Sequence, residues 1–140
     1  MNDSMGFEVE LPMAHEAALG KVREALKAEG FGVLTEIDLR AAFKEKLGKD
    51  FRPYVILGAC NPPLAYAAVT ADATVGLLLP CNVTVEAKDA SHSVVRLVDP
   101  RTMLASTPTV PSMAVQDVAS DAYQRIRRVV ADLQSIVAVA

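Results

Sequence analysis

Two short segments carry the residue types that could do chemistry in this chain, Cys60-Asn61-Pro62 and Pro80-Cys81-Asn82. Each sets a thiol beside a carboxamide and a proline. The thiol is a soft ligand and, once ionised, a nucleophile; the carboxamide offers donors and acceptors together. Proline at an irregular strand end turns the backbone, which can aim a neighbouring side chain into a pocket. If the segments meet in space, Cys60, Asn61, Pro62, Pro80, Cys81 and Asn82 form one ligand-binding site. If they do not, the cysteines fill space, Asn61 caps a helix, and the chain is a structural or interaction module. A third reading, thiol redox or soft-metal chemistry, requires a depressed thiol pKa.

The surroundings temper that third reading. Cys60 stands just before a helix start, where free amides and the helix dipole usually favour a thiolate. Pro62 and Pro63 have no N–H to offer, so Cys60 is expected to be only moderately acidic. Cys81 shares strand parity with Val83 and Val85 and should face the core, leaving Asn82, Thr84 and Glu86 outward. Free cysteine is commonly buried as a small hydrophobe. No C-x-x-C is present, and His15 (first helical turn) and His92 (hairpin turn) are both expected in solvent, so no metal site is assigned. Two-thiolate copper(I) stays conceivable. A serine triad, a phosphate loop and a paired-carboxylate site lack their marks, and catalytic residues and cofactors are left unknown. Arg125, Arg127 and Arg128 read as a solvated face, with an anion or partner contact across a dimer as the alternative.

The elements that must position these corners follow from periodicity and punctuation. Phe7, Val9 and Leu11 alternate with glutamates as a half-buried strand closed by Pro12. A helix over 13–29 ends at Gly30, with Phe31 placed for the apolar contact that often follows. Gly32 to Asp38 is a second strand, and Asp38 caps a short helix from Leu39 to Leu47 that Gly48 stops. The unbroken apolar run after Pro53, to Ala59, predicts a strand covered on both faces. Asn61 and Pro62 are the N-cap and first residue of a short helix ending near Asp72. A fourth strand is expected over Val75 to Ala87, with a bulge or break at Pro80, and a fifth over Ser93 to Val98. Asp99 to Pro111 reads as an irregular connection, and Ser112 as the cap of a last helix, Met113 to Val137. That helix would span about 36 Å, more than a small sheet needs, so one end is expected to project or to meet a second chain. The sum is an α+β fold, helices packed on a mixed or antiparallel sheet of about five strands, with a long C-terminal helix. Residues 1–6 are expected to be a flexible N-terminus and 7–140 a single domain.

Composition bounds the function. With 140 residues, 51% of them apolar, the chain can build a core without staples. A net charge of −3 and the absence of Trp argue against nucleic-acid binding, which wants a basic face or stacking platforms. No apolar run is long enough for a membrane span. The start, MNDSMGFEVELP, has neither a basic nor an apolar leader region, and two cysteines without a leader read as thiols, so the cytoplasm is expected.

Several phrases also resemble a known family: ILGACNPPLAYAAV followed by GLLLPCNVTV, with GFGVLTEIDLRAAFKEKLG upstream and LVDPRTML downstream. Together they are similar to domain-of-unknown-function family 302, from about Phe7 to Val137. The resemblance implies a small α+β fold, a cytoplasmic homodimer, and no established activity. Gly58, Cys60, Asn61, Pro62, Gly76, Leu79, Pro80, Cys81, Asn82, Asp99 and Pro100 stand at the family's motif positions. Pro63 and the apolar Ala-Tyr-Ala-Ala after Leu64 depart from its pattern.

Overall fold

The computed structural model describes residues 5–105 and 113–139. Expectations for residues 1–4, the 106–111 stretch and the Ser112 cap lie outside those residues. Five strands, β1 (Gly6–Leu11), β2 (Gly32–Asp38), β3 (Tyr54–Cys60), β4 (Cys81–Ala87) and β5 (Ser93–Val98), form one sheet in the order β1-β5-β4-β3-β2. Every neighbouring pair is antiparallel. The helices are α1 (His15–Ala28), α2 (Leu39–Leu47), α3 (Pro62–Ala71), α4 (Pro100–Leu104) and α5 (Met113–Val139).

Strand alternation decides which residues build the core. Val9 and Leu11, Leu57 and Ala59, Val83 and Val85, and Val95 and Leu97 point to one face and are buried against α1 and α5. Val22 and Leu26 from α1 meet Ile126, Val129 and Leu133 from α5 there. Burying one such side chain contributes roughly 1.5–3 kcal/mol, so this layer dominates the stability. The opposite face is less covered. Tyr54 and Ile56 remain half-buried there, which corrects the expectation that β3 is enclosed on both faces.

Helix ends obey their local chemistry. Asp38 accepts from the Ala41 N–H and Asn61 from the Leu64 N–H. Gly30, at φ 82°, lets Phe31 N–H reach back to the Leu26 carbonyl. Two segments differ from the sequence reading. Residues Ala73–Leu78 form a 3₁₀ turn capped by Asp72, so β4 starts only at Cys81, after the cis Leu79–Pro80 peptide. Asp99 also caps a helix, with Pro100 in its first turn, so α4 occupies what reads as irregular connection. This is the Asn61-Pro62 device in another pair of residues.

α5 does not overhang. At about 1.5 Å per residue it runs about 40 Å, yet its stripe stays packed from Val115 to Ile136 against two clusters. The second cluster joins Ala68, Val75, Leu104, Val118 and Ala119 beyond the end of the sheet. Arg125 donates to the Glu29 carbonyl and Arg128 pairs with the Glu29 carboxylate, so two of the three clustered arginines fasten the C-terminus of α1 to α5. Arg127 reaches the Tyr123 hydroxyl. His15 is half-buried rather than solvated: its Nε2 stands 2.9 Å from the Val85 carbonyl, which can only accept, so Nε2 carries the hydrogen and ties α1 to β4.

Candidate functional site

The ends of β3 and β4 meet because the strands are neighbours, with Ala59 directly opposite Cys81. That register places Cys81 on the core side of the ladder, and alternation sends Cys60, one residue past Ala59, the other way. Both nevertheless border one cavity of about 270 Å³ at the end of the sheet, because the chain leaves the ladder at this point. Asn61 and Pro80 border it too. Pro62 and Asn82 do not: Pro62 is exposed on the first turn of α3, and Asn82 points outward opposite Gly58. Four of the six residues singled out in the sequence therefore come together.

The rest of the wall comes from far along the chain. Leu64 and Ala65 of α3, Met103 of α4 and Val118 of α5 close one side; Phe31, after the Gly30 turn, and Thr35 of β2 close the other. These residues carry no chemical signature, and only the sheet order and the path of α5 could reveal them. The cavity is bordered almost wholly by apolar atoms, and among the described residues that line it none carries a charged side chain. His15 and His92 are elsewhere: His92 pairs with Asp89 at the hairpin.

Both cysteines are free thiols and neither is acidic. Burial pushes Cys81 from its ordinary value of 9.0 to about 11, with repulsion from Cys60 as a smaller cause. Burial also raises Cys60, which corrects the expectation of moderate acidity. Nothing at the start of α3 offsets that burial. Its first two residues, Pro62 and Pro63, have no N–H, and the next donor, Leu64 N–H, is taken by Asn61 Oδ1 at 3.2 Å. The helix end that would stabilise a thiolate has nothing left to give it.

Asn61 is thus a structural side chain as well as part of the wall. It is only 7% exposed, and a β-carbon added at Gly30 would lie 2.9 Å from its Nδ2. Asn61→Ala is expected to cost about 1–2 kcal/mol by chemical denaturation, through the lost cap. Asn61→Ser, which keeps a capping oxygen, should recover part of that loss. Equal destabilisation by both would show that the cap contributes nothing.

A helical layer on an all-antiparallel sheet, with an apolar cavity at the strand ends, defines the chain as a small α+β domain. It matches the family described as "Domain of unknown function DUF302" over residues 7–133, and so belongs to that family. A solved structure of an uncharacterized conserved DUF302 protein from Bacillus stearothermophilus is similar at 27% identity, with a TM-score of 0.77 over 93% of this chain and 96% of that one. No curated protein matches the chain. Among the described residues, no helix is long and apolar enough to cross a membrane.

Proposed function

We propose that this chain is a homodimeric small-molecule-binding domain, its site the cavity at the two Cys-Asn corners and its cysteines neutral wall groups. One observation carries the reading: Cys60, Asn61, Pro80 and Cys81, from two separate corners, border a single apolar cavity of about 270 Å³. Well-formed, mostly apolar cavities with a few polar groups are where proteins bind small ligands. Thiol redox or thiolate–metal chemistry finds less support, since both thiols hold their protons more tightly than ordinary ones. Two free thiols fit a reducing compartment, and we place the protein in the cytoplasm.

Native mass spectrometry of freshly purified protein tests the reading, with a retained small molecule as the expected result. A bare mass, together with no stabilisation by any member of a small-molecule panel, favours the alternative of a structural module. That alternative draws on Asn61, whose oxygen is committed to capping α3.

For the second copy we propose β2 as the docking surface. This strand is a sheet edge, and it leaves Leu34 68% and Ile37 47% exposed. Apolar side chains on an unpaired edge favour pairing with another chain, and Leu34 also borders the cavity. Ile37→Glu is expected to weaken the dimer at least tenfold in analytical ultracentrifugation. A wild-type monomer at micromolar concentration would exclude the interface.

A further inference from the structure

Resting on the binding reading above, we infer that the cavity takes an uncharged, largely apolar molecule, a medium-length alkyl or small aromatic body with at most one neutral polar group. Size sets the first limit. About 270 Å³ is nearly twice the roughly 150 Å³ that encloses benzene in an apolar protein cavity, so a body of about ten non-hydrogen atoms fits.

Charge sets the second. Among the described residues the wall has no Lys, Arg, His, Asp or Glu, so a carboxylate or phosphate inside it would lose water and gain no counter-charge. The nearby cations are committed elsewhere. Arg101 holds the Asp99 carboxylate and stacks on the Tyr123 ring at 3.4 Å, and Arg125 is shared between Asp121 and the Glu29 carbonyl. The start of α3 offers an anion nothing either. The first two residues of α3 are prolines, and its next N–H already binds Asn61. An ammonium fares no better, because the wall holds no carboxylate and its thiols resist ionisation. What remains is the Thr35 hydroxyl, the Asn61 carboxamide NH2, whose Oδ1 already caps α3, and two weakly polar thiols, enough to orient one hydroxyl or carbonyl.

The experiment compares two probes of one shape, 1-octanol and sodium octanoate, by isothermal titration at pH 7.5. The wild-type protein should bind octanol one to one, at least tenfold more tightly than octanoate. Ala65→Phe, which fills the wall from α3, should lower octanol affinity at least tenfold; should it fold poorly, Ala65→Leu should give a smaller loss in a folded protein. Octanoate binding as tightly as octanol overturns the ligand class and leaves the binding reading standing. Octanol binding untouched in folded Ala65 variants, or no binding of either probe, overturns both.

Discussion

Gly58→Ala is expected to destabilise the protein by about 3 kcal/mol, at the upper end of overpacking costs. Gly58 lies on β3 where β2 and the Pro80 corner close over it. A β-carbon built there would run into Thr35 Oγ1 and lie 2.8 Å from Pro80 Cγ. Threonine can rotate its hydroxyl away, but the pyrrolidine ring has no such freedom. Gly58→Ala combined with Thr35→Ala should therefore recover only part of the loss in a denaturant titration. Full recovery would mean that Pro80 does not sit over β3, and a neutral single substitution would dismantle the corner altogether.

The second large effect is a pH dependence that belongs to Cys81. Its folded pKa is raised from 9.0 to about 11, by burial first and by Cys60 second. A raised pKa means that the folded state holds the proton more tightly than the unfolded state does. The contribution is therefore complete below pH 9, and it disappears as pH climbs through about 11. Two pH units correspond to about 3 kcal/mol. Guanidinium unfolding at steps from pH 8 to 11 should show wild type losing about 2 kcal/mol more stability than Cys81→Ala, because at pH 11 the folded thiol is only half ionised. Parallel curves for the two proteins would mean that Cys81 is not buried as a neutral thiol. Iodoacetamide should likewise leave Cys81 largely unmodified at neutral pH, and reach the half-buried Cys60 slowly.

These effects show what could be read before any coordinates. Gly30, Asp38 and Asn61 announce their helix ends because capping is local chemistry, decided within four residues. The β-strands announce themselves by alternation, and Cys81 follows Val83 and Val85 to the core side for the same reason. Local rules mislead where context overrules them. Val75 to Leu78 is apolar enough for a strand, yet Asp72 caps it into a 3₁₀ turn, and Val75 is buried among Ala68 and Leu104. Asp99-Pro100 carries the same start signal as Asn61-Pro62 and was legible in principle; the length of the connection obscured it.

The site was half legible. Cysteine, asparagine and proline mark its two corners, but the wall that makes it a cavity comes from Phe31, Thr35, Leu64, Met103 and Val118. Those are ordinary apolar or small residues, separated by up to most of the chain. Which of them converge depends on the strand order β1-β5-β4-β3-β2 and on α5 packing against α3 and α4. Periodicity gives each element its inward face and says nothing about which inward faces will meet.

Xenon offers the most direct look at that meeting place, because it enters apolar cavities and needs no chemical handle. Diffraction from a crystal pressurised with xenon should show an atom between Cys60, Cys81, Leu64 and Met103, and no ordered water there. A xenon-free space filled with hydrogen-bonded water, or sulfur atoms sealed apart with no gap between them, would contradict an apolar site at the two corners.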